Sequence, residues 1–118
     1  MRETLRDLQR ERRQLLLRMM KDHELAIGTV SEVLRKCGNP RCHCSEGLGH
    51  RQVIFLFKDK DGDRRRCKLV RRADEKRLIK AGKRYREFRE DLKRLRTIDR
   101  EEKEILMAIA YKRAICYE

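Results

Sequence analysis

Hydrophobic and polar positions follow three successive rhythms along this chain, helical, then strand-like, then helical again. Over residues 3–24, Leu5, Leu8, Leu15 and Met19 fall at heptad spacing, with Leu16 and Met20 widening the stripe. This predicts an amphipathic helix whose apolar side is buried against another helix. Arg12 interrupts the stripe. Gly28 closes the helical region, and Thr29–Lys36 has the β-branched, alternating character of a strand. Val53-Ile-Phe-Leu-Phe57 reads as a second strand, five apolar residues in a row. Residues 58–63 form a turn pivoting on Asp61-Gly62, and Arg64 to Val70 returns as the hairpin partner. Alternation puts Arg64, Arg66 and Lys68 on one face of that strand, with Arg65, Cys67 and Leu69 on the other.

From Arg71 to Arg96 the rhythm becomes helical again. Leu78, Ala81, Tyr85, Phe88, Leu92 and Leu95 follow one another at intervals of 3, 4, 3, 4 and 3, the pattern of a coiled-coil seam. Gly82 weakens this helix by about 1 kcal/mol relative to alanine. Around Thr97-Ile98-Asp99 the pattern breaks, and Asp99 with Glu102 resembles a capping box that restarts a helix. Ile105 to Tyr111 is apolar on too many sides for a solvent-exposed helix and calls for cover from the N-terminal helix or a partner chain. The expected architecture is a single α+β domain over residues 1–118. It has an N-terminal helix to residue 24, a three-stranded antiparallel sheet with a metal-binding loop over 28–70, and a long helical region over 71–118, broken near 97–99. The first helix and the Leu78–Leu95 seam are expected to pack together, with the same surfaces extending across a homodimer.

Composition sharpens this picture. Of the 118 residues 45% are charged and only 5% aromatic, too little apolar material for a large core. Helix seams, a bound metal or a second copy must compensate. The net charge of +13 is uneven: residues 25–70 carry ten basic and five acidic side chains, and residues 71–98 carry twelve and five. A positive surface of that density attracts polyanions, because each neutralised phosphate releases condensed counterions. The competing reading is a solvated helix laced with salt bridges, since many lysines and arginines have acidic neighbours at helical spacing. No apolar run is long enough to span a bilayer, so no membrane role is expected. An odd count of five cysteines and a charged N-terminus without a signal-peptide core point to a reduced, cytoplasmic protein.

The densest chemistry lies in Cys37-Gly-Asn-Pro-Arg-Cys42-His43-Cys44, followed by His50. Three thiols and an imidazole at Cys-x4-Cys-x-Cys-x5-His spacing supply the four ligands of a closed tetrahedral zinc site. Gly38 and Pro40 set a tight turn, and Gly47 and Gly49 let the chain fold back to bring His50 around. His43 and Cys67 are alternatives to His50 as the fourth ligand. Four such ligands would leave no open coordination position. Glu46 is the only nearby carboxylate, and no phosphate-binding glycine motif occurs, so neither an enzyme nor a small-molecule substrate is expected.

These residues carry a resemblance. Gly28-Thr29, Arg35-Lys36-Cys37-Gly38-x-Pro40-x-Cys42-x-Cys44, Gly49-His50, a hydrophobic strand, a glycine-centred hairpin and a long basic helix resemble a family of small bacterial and archaeal proteins of unknown function. Its members share a CGxPxCxC…GxxHGP signature ahead of a tyrosine-rich strand. The likeness covers roughly residues 25–96. It implies that Cys37, Cys42, Cys44 and His50 act as a unit. The chain departs from the family where Arg51-Gln52 replaces Gly-Pro after the histidine, and where Val-Ile-Phe-Leu-Phe replaces tyrosines.

The expected function is therefore nucleic-acid binding, DNA ahead of RNA, on a zinc-stabilised frame. Arg35, Lys36, Arg41 and Arg51 would flank the metal loop. Arg64, Arg66 and Lys68 would form a basic ladder on the hairpin. Arg71, Arg72, Lys76, Lys80, Lys83 and Arg84 would track a phosphate backbone along the following helix. The alternative is a protein-interaction adaptor that works through its helical seam.

Overall fold

The computed structural model of the chain describes residues 2–36, 38–42, 47, 49–59, 61–62 and 64–117. The architecture is α+β: helix α1 (Arg2–Met19), strands β1 (Thr29–Arg35), β2 (His50–Lys58) and β3 (Arg65–Leu69), a 3-10 turn at Arg72–Asp74, and helix α2 (Glu75–Lys112). The sheet is antiparallel in the order β1-β2-β3. The chain divides into two compact units. Residues 1–22 and 87–118 form a helical unit, and residues 23–86 form a sheet unit. No helix among the described residues is long and apolar enough to cross a membrane.

In the helical unit, α1 and the second part of α2 run antiparallel and share an apolar seam. Leu8 and Leu15 pack on Ile98, with Leu95 and Ile105 alongside, and Ile98 has no exposed surface. α1 ends earlier than its sequence suggests. The amide of Met20 still bonds the Leu16 carbonyl at 2.9 Å, but that of Lys21 bonds Arg18 one residue nearer, a tightened last turn. The next four residues, Lys21 to Glu24, are polar and carry no apolar stripe onward.

The predicted break at 97–99 does not occur, because α2 is continuous from Glu75 to Lys112. Asp99 and Glu102 do not cap a new helix. Both are bonded to Arg12 of α1, Glu102 at 3.2 Å. The arginine that interrupts one apolar stripe thus answers the two carboxylates that interrupt the other. Arg94 grips Glu11 through two nitrogens at 2.7–3.1 Å, and Arg18 holds the buried Asp91 at 2.5 and 3.0 Å. The Arg94 hydrogen bond draws the Glu11 carboxyl below its ordinary pKa, and the Asp91 bond raises that of Arg18.

The heptad seam is likewise divided. Leu95 joins α1, whereas Leu78 and Ala81 belong to the sheet unit and Leu92 remains 37% exposed. α1 covers only part of the closing apolar segment. Ile105 reaches the core, but Leu106, Met107 and Tyr111 are 54%, 51% and 73% exposed.

The sheet unit is built around β2, which pairs on both edges. This explains why Val53 and Ile54, pointing to opposite faces, are both buried. β2 begins at His50, three residues before the apolar run, because β1 pairs as far as Arg35↔His50. β3 is an edge strand exposed along its whole length. One face of the sheet looks toward the start of α2. There Gly82 has the reason for its presence: a Cβ at that position would lie 3.0 Å from Val30 Cγ2. Ala26, just before β1, donates its amide to the Ala81 carbonyl at 3.1 Å.

The seam as folded makes a distinct prediction. Ile98→Ala should cost about 2–4 kcal/mol, as for other fully buried isoleucines. Leu92→Ala should cost about 1 kcal/mol or less. Urea denaturation of both variants measures the difference, and equal costs would contradict this assignment of the core.

Candidate metal centre and basic face

The loop from Lys36 to Gly49 leaves the sheet at Arg35 and returns to it at His50, residues that are cross-strand partners. Its first turn follows from four residues. In Asn39-Pro40-Arg41-Cys42 the amide of Cys42 bonds the Asn39 carbonyl at 3.0 Å, and the Asn39 side chain accepts from the Arg41 amide at 3.0 Å. Proline is suited to the second position of such a β-turn, and asparagine to the first. Gly49 supplies the return. Its φ of +97° suits glycine, and a Cβ there would lie 2.4 Å from the Arg35 carbonyl carbon.

The result brings two of the four expected ligands together: Cys42 Sγ lies 3.2 Å from His50 Nε2. Ordinary zinc–sulfur and zinc–nitrogen distances on a tetrahedron place those atoms about 3.6 Å apart, so the pair fits a shared metal with a small adjustment. Cys37 and Cys44, with the alternatives His43 and Glu46, lie outside the described residues. Among the described residues no group of three metal-ligating side chains occurs. Cys67 does not belong with this pair. It stands opposite Leu56, six residues along β2 from His50, which is roughly 20 Å at strand rise.

Arg51, next to His50, has a different place from the one expected. It donates to Glu32 of β1 at 2.8 Å and to Glu75, the first residue of α2, at 3.0 Å. These hydrogen bonds raise its pKa and lower that of Glu32. Arg51 ties the strand beyond the loop to the helix instead of offering a bare cation. The ladder residue Arg66 is also paired, with Asp59 at 2.8 Å, and Arg77 pairs with Glu24 at 2.5 Å. The remaining expected contacts differ. Arg35, Arg41, Arg64, Lys68, Arg71, Arg72, Lys76, Lys80 and Lys83 are exposed and make no ion pair among the described residues. Lys36 is exposed with a partner of its own, and Arg84 is half-buried near the Glu24 carboxylate.

Charge separates the two units. The sheet unit holds eighteen basic and eight acidic side chains, a net +10 of the chain's +13. The helical unit holds fifteen and twelve, net +3, and pairs many of them across its seam. Sequence reasoning missed one feature of the sheet unit, a stacked pair of phenylalanines. Phe55 and Phe57 have ring centroids 4.9 Å apart on the helix-facing side. Their two-residue spacing on a strand was the available signal.

No curated protein and no solved structure matches the chain. Residues 5–81, from α1 through the whole sheet to Ala81 of α2, match the family described as a domain of unknown function, DUF6788, and the chain belongs to that family.

Proposed function

We propose that the protein is a non-catalytic nucleic-acid-binding protein whose sheet unit is stabilised by zinc. The observation that carries this reading is the placement of charge. If the positive surface served only to solvate the helices, acids and bases should balance within each unit. They nearly do in the helical unit, but the sheet unit keeps a net +10. Charged side chains on the β3 edge also discourage pairing with other sheets, but that does not account for the cations on α2. Arg71, Arg72, Lys76, Lys80 and Lys83 offer contacts to successive phosphates of DNA, the first ligand to test.

Zinc would be held by Cys37, Cys42, Cys44 and His50, the three thiols and imidazole clustered around the loop. The group would supply a rigid cross-link and no reaction, since four protein ligands close the coordination sphere. The Cys42–His50 contact and the Asn39 turn support this ligand set over one that uses Cys67. A protein-interaction role through the helices, including a homodimer, is the second reading. The uncovered Leu106, Met107 and Tyr111 favour it.

Two experiments test these assignments. Competition with a chromophoric chelator should show that Cys42→Ser weakens zinc binding by roughly a hundredfold or more. Gly49→Ala should weaken it as well, and Cys67→Ser should leave it unchanged. Full affinity in Cys42→Ser would remove that thiol from the site. In the second experiment, Lys80→Ala with Lys83→Ala should weaken DNA binding and reduce the slope of log K against log salt by about 2. Unchanged affinity and slope would leave the charge as a solvated face and favour the adaptor.

A further inference from the structure

Phe55 and Phe57 do more than fill the sheet. With Leu25, Ala26 and Ile27 before β1 and Leu78 and Ala81 of α2, they line an open cleft of about 580 Å³. That volume lies within the range of small-ligand sites. The two rings are stacked at an interplanar angle of 24°. Both remain half-buried in a chain otherwise short of apolar cover. The cleft is apolar inside and charged around its rim, where Glu24, Lys58, Asp59 and Arg77 sit. Register adds two further cations, since Arg66 stands opposite Phe57 and Lys68 opposite Phe55 on the same face.

The charges are not equally available. Arg77 is neutralised by Glu24 and Arg66 by Asp59. Lys68 makes no ion pair among the described residues. A ligand matching this arrangement has a flat, weakly polar ring for the cleft and an anionic group beside it for Lys68. A nucleotide chain has both, and an aromatic side chain is an adequate platform for any base because every base has a π-face. In a duplex those faces are covered by neighbouring pairs, so the cleft can be filled only by an unstacked base.

We propose that the Phe55–Phe57 cleft takes an unstacked base of single-stranded nucleic acid, with Lys68 holding an adjoining phosphate. This rests on the nucleic-acid reading above and narrows it: the basic surface binds phosphate generally, and the cleft makes the single strand the preferred ligand.

The test uses the unmodified protein first. Fluorescence anisotropy compares an oligothymidine, a strand of equal length and phosphate count built with abasic sites, and a duplex. The abasic strand should bind about tenfold more weakly than the oligothymidine, as for the loss of one stacked base. Phe57→Ala should bring the oligothymidine to the abasic level without changing duplex affinity, and Phe57→Tyr should keep the preference. If Phe57→Ala fails to fold, the abasic comparison decides alone. Equal, salt-sensitive affinity for the oligothymidine and abasic strands would overturn the cleft assignment and leave phosphate binding standing. Absence of binding to all three ligands would overturn both.

Discussion

At the mouth of the cysteine loop, Arg35 of β1 pairs with His50 of β2, and Gly49 turns so close behind Arg35 that no side chain fits between them. This closure sets the register of the whole sheet unit. It places His50 within reach of Cys42. It sets Arg51 between Glu32 and Glu75, which ties the sheet to the start of α2. It also turns Val53, Phe55 and Phe57 toward the helix. A slip of one residue would reverse each of these, because strand side chains alternate with a period of two. The candidate metal site, the basic face and the aromatic cleft all depend on the same pairing.

The two units hold together by different means. The helical unit buries few apolar side chains, Leu8, Leu15 and Ile98, and supplements them with cross-helix ion pairs, Arg12 with Asp99 and Glu102, Arg18 with Asp91, and Arg94 with Glu11. Its charge is spent mostly on itself. The sheet unit has a small core led by Val53 and Ile54, an edge strand with no buried residue, and a large charge excess. Crowding that many cations onto so small a core is unfavourable on its own. A zinc cross-link inside the unit and a polyanion outside it would each offset that cost, so the two halves of the proposed function support one another.

The elements were legible in the sequence because they rest on local periodicity: α1, the three strands and α2 lie where the rhythms change. The supposed break at residues 97–99 was not, because its cause lies 87 residues away in Arg12. Read separately, Arg12 and Asp99 each look like faults in an apolar stripe; together they form one contact. The Leu78–Leu95 seam was visible, but not its division between two partners, since periodicity reports which face is apolar and not what covers it. At the site, the Cys42–His50 approach could be anticipated from spacing within one loop. The engagement of Arg51 and Arg66 could not, because their carboxylates come from other elements or across the hairpin. The run Val53 to Phe57 hid its own alternation, as a central strand buried on both faces shows no polar positions to mark the sides.

If a metal-closed loop holds the sheet unit together, removing the metal should loosen the strands and leave the helical unit intact. Hydrogen exchange read by mass spectrometry, on the zinc-loaded protein before and after chelation, measures this. The native mass should contain one zinc per chain. After chelation the amides of residues 29–35 and 50–58 should lose protection, while those of residues 5–19 and 95–109 keep theirs. A chain that carries no zinc, or one whose strands stay equally protected once zinc is removed, would contradict a metal-closed loop.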